Sequence, residues 1–188
     1  STLFPYTTLF RSRDLGQHGL VRVPQAPHRA TGRVVHEQVA GTRRAARDQR
    51  AAEGTVGTRE LALDMRKRAG SDRAFINAVL TKFRTEKYSY TTTPPLLGAN
   101  PVDEFLFTTL TGYCEHYASA FAVMMRFAGI PSRIVTGYQG GEVNTVGNYM
   151  IVRQADAHAW VEVWLANEGW VRVDPTAAVA PSRLDATT

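Results

Sequence analysis

From residue 114 to residue 128 the apolar positions recur at helical spacing: Cys114, Tyr117, Ala118, Phe121, Ala122, Met125 and Ala128. Thr111 or Gly112 is placed to start this helix, Gly129 to end it, and Pro131 bars its continuation. Upstream, a charged run carrying Leu61, Leu63 and Met65 predicts a short helix over 58–68. Ser71 and Asp72 can cap a second one over 73–86, with Phe75, Ile76, Val79, Leu80 and Phe83 facing inward. Residues 88–93 read as extended, and Pro94-Pro95 opens a long loop that reaches Thr111.

After the helix at 114 the period changes from helical to alternating. Strands are predicted at 133–138 and 149–154, with Gly- and Asn-containing separators at 139–142 and 144–148. From 157 to 165 the alternation is clean. Ala157, Ala159, Val161, Val163 and Leu165 share one face, and His158, Trp160, Glu162 and Trp164 the other. Ala166-Asn167-Glu168-Gly169 is a turn, and 170–174 alternates again, with Trp170, Arg172 and Asp174 opposed to Val171 and Val173. The two runs form a β-hairpin whose loop length decides the chemistry. Loops of three and of five residues give one register, in which Asp174 lies opposite Trp160 and shares a face with His158. The two are then diagonal neighbours roughly 7–8 Å apart at the backbone, within reach of a side-chain hydrogen bond. A four-residue loop would put them on opposite faces. Helices first and an antiparallel sheet afterwards define an α+β fold.

Composition divides the chain in two. Residues 1–50 hold nine Arg and three acidic residues, whereas 51–188 hold 13 basic and 14 acidic residues, so the formal charge of +5 belongs to the N-terminal segment. The near-neutral remainder carries no basic stripe, which excludes nucleic acid as its partner. Between Arg13 and Gly54 there is no Phe, Trp, Tyr, Ile, Met or Lys, and Leu occurs only at Leu15 and Leu20. Such a segment cannot supply a core. Residues 2–12 match the translation of a common sequencing adapter, and 13 to about 53 read as GC-rich coding sequence out of frame, or else as a disordered basic tail. The expected organisation is therefore 1–53 outside the functional unit and 54–188 as a single catalytic domain, long enough for a substantial core. No run of 18 apolar residues exists in the sequence.

Cys114 is the only cysteine. A lone cysteine is most often a small core residue, but this one falls in a first helical turn, where free N–H groups and the helix dipole favour a thiolate. With His158 and Asp174 downstream, the chain carries the parts of a Cys–His–Asp triad in that order. His158 alone could be a half-buried strand histidine, and Asp174 before Pro175 could simply end a strand. The coincidence of the three weakens those readings. Cys114 and His116 without a second pair are weak evidence for zinc, and no Asp/Glu-rich calcium loop is present, so neither a metal nor a cofactor is expected.

Several linked segments carry a family resemblance. These are Gly112-Tyr113-Cys114-Glu115-His116-Tyr117-Ala118, Gly129-Ile130-Pro131-Ser132-Arg133, Thr136-Gly137-Tyr138, His158-Ala159-Trp160-Val161-Glu162-Val163 and Gly169-Trp170-Val171-Arg172-Val173-Asp174-Pro175-Thr176. Together, over about residues 55–183, they resemble the transglutaminase-like core of the bacterial membrane-anchored protein-glutamine γ-glutamyltransferase type. Pro94-Pro95-Leu96-Leu97-Gly98 and the run from Pro101 to Phe107 are similar to the same subgroup. The resemblance implies a papain-like α+β fold, Cys114 as nucleophile, His158 as base and Asp174 as the orienting residue. It also implies acyl transfer from a glutamine side-chain amide to a lysine or other amine of a protein or peptide substrate. The Cys114 N–H is the expected oxyanion donor, with Tyr90 as a second, aromatic one. A papain-like peptidase or amidase and a non-catalytic ectodomain that binds partners are the alternatives. In the resembled subgroup this domain lies outside the cytoplasm between spans of a longer inner-membrane protein, so the chain is expected to be a periplasmic fragment whose spans lie in sequence not present here.

Overall fold

The structure is a computed structural model that describes residues 21–24 and 55–181. In chain order its elements are β1 (Val21–Pro24), α1 (Val56–Arg68), α2 (Asp72–Thr85), β2 (Ser89–Tyr90), α3 (Pro101–Glu104), β3 (Thr111–Gly112), α4 (Cys114–Phe127), β4 (Ser132–Tyr138), β5 (Glu142–Asn144), β6 (Tyr149–Val152), β7 (Ala157–Leu165) and β8 (Gly169–Val173). A π-helical turn, Phe105–Thr109, continues α3, and 3-10 turns occupy Gln154–Asp156 and Pro175–Ala178. This is an α+β architecture in which the longer helices precede the antiparallel strands β4 to β8.

Ser71 starts α2 by accepting a hydrogen bond from the Ala74 N–H at 3.1 Å, which satisfies one of the orphan donors of a helix start. The face that α2 buries is the one its periodicity predicts: Phe75, Ile76, Val79 and Phe83. In α1 the inward residues are Thr58 and Ala62, whereas Leu63 is exposed. Positions 58, 62 and 65 share one helical face, and 63 lies on another, so the Leu61–Leu63–Met65 series overstates the apolar face.

The long loop expected between Pro94 and Thr111 contains a helix. Pro101 occupies its first turn, where a missing N–H costs nothing. Asp103 accepts hydrogen bonds from the Gly57 and Thr58 N–H groups, each at 2.9 Å, and from the Thr58 hydroxyl. Glu104 ties down the loop before α3 by accepting from the Gly98 N–H at 2.6 Å. Two acidic residues thus act as caps. The helix ends at Leu110, whose left-handed φ of 52° turns the chain into β3. There Ser89 and Tyr90 pair in parallel with Thr111 and Gly112, so Tyr90 is held opposite Gly112, two residues before Cys114.

The central sheet has the order β4-β7-β8, antiparallel throughout. Helix α4 packs on it through fully buried Tyr117, Phe121, Ala122, Met124 and Met125, against Val161 and Val163 of β7. Phe83, Phe105 and Tyr117 meet edge-to-face, with Phe105 and Tyr117 centroids 4.9 Å apart, which joins α2 and the π turn to α4. A second sheet, β1-β6-β5, includes Glu142–Asn144, a stretch read from sequence partly as separator. Val21–Pro24 pairs with Tyr149–Val152 in it. The adapter and reading-frame expectations otherwise fall on residues outside the described ones.

Candidate active site

Cys114 is the first residue of α4 and is 3% exposed. Gly112 sets this start. A Cβ there would lie 2.7 Å from the Phe105 ring and 2.8 Å from His116 Cβ, so only glycine allows β3 to run directly into the helix. The His116 side chain folds back, its Nδ1 accepting the Tyr113 N–H at 3.1 Å. That bond requires an unprotonated Nδ1, and burial pushes the imidazolium pKa down in the same direction. His116 thereby acts as a helix cap through Nδ1. Among the described residues no group of three or more His, Cys, Asp or Glu side chains is placed to hold a metal ion.

The hairpin register follows the odd-loop alternative, with Leu165 paired to Gly169, Trp164 to Trp170 and Val161 to Val173. Asn167 and Gly169 take positive φ to close the three-residue loop. One consequence is that His158 and Asp174 share a face. His158 Nε2 and Asp174 Oδ2 are 2.7 Å apart, both side chains being nearly buried. The other carboxylate oxygen accepts the Thr176 N–H at 3.1 Å, so the Asp174-Pro175-Thr176 turn fixes the carboxylate before any substrate arrives. His158 lies against Trp160, the ring planes 23° apart. Gly137 pairs with His158 across β4 and β7, and a Cβ on it would stand 3.0 Å from the Trp160 ring. The glycine gives the indole room to lie beside the imidazole.

Cys114 lies near this hairpin, close enough for the N–H of Ala159, the residue next to His158, to favour its thiolate. Burial pushes the thiol up to about 11. The Ala159 and Glu115 N–H groups pull the other way, and the Glu115 and Asp174 carboxylates add to the rise. Placement at a helix start is as expected, and burial is the largest influence on the thiol, raising it against the pull of the Ala159 and Glu115 N–H groups. Tyr90 sits at the same end of α4, its ring 5.7 Å from Tyr113 and stacked on Tyr117. Tyr113 in turn donates its hydroxyl to the Ala157 carbonyl at 3.3 Å, bridging the helix start to β7.

Three features of the site are not foreseen as functional from sequence: Thr176, Gly137 and Arg172. The Thr176 contact was legible, because Asp-Pro-x is an Asx-turn pattern. Gly137 and Arg172 carry no such signal, since the Trp160 ring that both meet comes from another strand.

An α+β domain that brings a buried helix-start thiol to a His/Asp-bearing hairpin belongs to the papain-like class of folds. The family model of the Transglutaminase-like superfamily matches residues 59–175, and the chain belongs to that superfamily. It is 50% identical over 132 residues to the protein-glutamine γ-glutamyltransferase of Pseudomonas aeruginosa, covering 70% of this chain and 20% of that protein. The crystal structure of the periplasmic domain of TgpA from the same organism superposes with a TM-score of 0.67 at 50% identity, covering 70% of this chain and 46% of that one. A Bacillus subtilis protein, YebA, is 40% identical over 108 residues, 54% of this chain and 15% of the relative. The chain therefore spans a fifth or less of these curated relatives.

Proposed function

We propose that the domain is a cysteine acyltransferase acting on glutamine side-chain amides, with Cys114 as nucleophile, His158 as acid–base and Asp174 as the group that orients it. The observation that carries this reading is the 2.7 Å His158–Asp174 contact on the hairpin against which α4, with Cys114 at its start, is packed. Asp174 occupies Nε2, which leaves Nδ1 as the ring nitrogen available to the thiol.

Because burial holds Cys114 as a thiol, its proton must pass to His158 as the sulfur attacks the carboxamide carbon. The imidazolium formed is stabilised by the buried Asp174 carboxylate. The carbonyl oxygen takes up the negative charge, and the Cys114 backbone N–H at the free end of α4 is the donor for it, with the Tyr90 hydroxyl as a second. Collapse of the tetrahedral species breaks the C–N bond, and His158 returns the proton to the leaving ammonia. The thioester on Cys114 then reacts with a lysine amine, giving an isopeptide bond, or with water, giving glutamate. The substrates are accordingly proteins or peptides bearing Gln and amine groups. Similarity to the periplasmic domain of TgpA supports a periplasmic location for this domain. No helix among the described residues is long and apolar enough to cross a membrane.

Incubation with a glutamine-containing peptide and a fluorescent primary amine is expected to release ammonia and label the peptide. Cys114→Ala should abolish both signals while retaining the fold, since it removes one sulfur from a helix start. Labelling by purified Cys114→Ala would overturn the assignment. Cleavage of backbone amides without ammonia release would identify a peptidase instead, and no alkylation of native Cys114 by a thiol probe would favour the binding module.

A further inference from the structure

Arg172 lies on the same face of β8 as Asp174 and opposite Glu162 of β7. Its guanidinium carbon is 4.3 Å from the centre of the Trp160 ring, and its Nη2 is 3.6 Å from Asp174 Oδ2, the oxygen that contacts His158. The carboxylate side chain is 10% exposed and the arginine 53%, so the guanidinium stands on the solvent side of a nearly buried pair. Trp160 links the two halves, touching Arg172 and the His158 ring. An arginine is suited to this place because its planar head stacks on an indole while its edge meets an anion, which an ammonium cannot do as well.

We propose that Arg172 is a positioning residue for the His158–Asp174 pair, holding Asp174 Oδ2 from its outer side and shielding the shared proton from water. The inference rests on the acyltransferase reading for its kinetic consequence but not for its structural one. Arg172 touches no reacting atom. It fixes the carboxylate against rotation, and through Trp160 it keeps the imidazole plane aligned. Asp174 Oδ1 is already held by the Thr176 N–H, so Arg172 constrains the one oxygen on which the imidazole depends.

The test compares the parent chain with Arg172→Lys and Arg172→Gln by two measurements. In low-field proton NMR, the resonance of the His158 Nε2 proton, assigned by its loss in Asp174→Ala, should exchange with water faster in Arg172→Gln and at an intermediate rate in Arg172→Lys. In the amine-labelling assay, Arg172→Gln should lose kcat by roughly two- to fivefold, the scale of a half-exposed ion pair, with KM unchanged and Arg172→Lys, which keeps the charge but not the planar stacking, restoring part of the loss. Equal exchange rates in parent and Arg172→Gln would overturn the proposal. A loss confined to KM would also overturn it, by making Arg172 a substrate contact. If the parent itself transfers no acyl group, the acyltransferase reading fails while the exchange rates still decide the role of Arg172.

Discussion

At Cys114 burial and hydrogen bonding oppose each other, and burial wins, pushing the thiol from 9.0 up to about 11. A thiol pKa raised by folding stabilises the native state fully below the unfolded value, and the contribution is lost as pH rises through the folded value. Between about pH 9 and pH 11 the parent should therefore lose stability that Cys114→Ala does not lose. Urea unfolding of the two proteins across this window checks the sign, and parallel curves would contradict it. The buried tyrosines Tyr88 and Tyr117 are shifted upward too, but they are common to both proteins and cancel in the comparison. At Asp174 the prediction concerns tautomers. Thr176 would hold an asparagine in nearly the same place, but its amide nitrogen facing His158 would demand the wrong proton arrangement on the ring. Asp174→Asn should lower kcat by roughly 10²-fold or more with little change in melting temperature. Parent-like turnover would remove Asp174 from the mechanism.

Helix α4 owes its position to its two ends. At the start, Gly112 brings β3 against Phe105 and His116 with no room for a methyl group. Gly112→Ala should destabilise the fold by about 1–3 kcal/mol through overpacking, and it should slow Cys114 alkylation by displacing the helix start. Unchanged alkylation would separate the glycine from the site. At the far end, Ser132 donates its hydroxyl to the Ala122 carbonyl at 2.9 Å, which ties β4 to the helix it follows. Helix α1 depends on a remote cap, because Thr55 makes no side-chain cap bond and Asp103 supplies the acceptor from α3. Asp103→Ala leaves these donors unpaired beside the fully buried Thr58. It should cost about 1–3 kcal/mol in urea unfolding, with Asp103→Asn recovering part of the loss. A cost near zero would mean that water replaces the carboxylate.

The core of the molecule runs from Ala62 to Leu165 and is continuous from α1 through the central sheet. Among the described residues its members lie downstream of residue 54, while β1 contributes four residues to the edge of the smaller sheet. A chain starting at residue 55 should therefore unfold in one cooperative transition and alkylate Cys114 at the parent rate. Loss of cooperativity in that truncation would make the N-terminal segment part of the folding unit.

The sequence by itself determined the helix that carries Cys114 and the hairpin strands, and it named the candidate site residues. Those are local matters, set by a helical period, by clean alternation and by turn residues within a few positions of one another. The hairpin also stated its own condition, an odd loop. Loops of three residues and of four read alike in composition, so only pairing against the sheet fixed the register and the face of Asp174. Helix α3 was hidden because it is short, starts with proline and is held by caps on residues about 45 positions upstream. The protonation of Cys114 was decided by tertiary structure as well. A helix start can be read from a chain, but the burial that raises the thiol comes from the packed fold around it. Arg172 makes the same point: its place beside Asp174 is local, whereas the Trp160 ring that gives the guanidinium its orientation belongs to another strand.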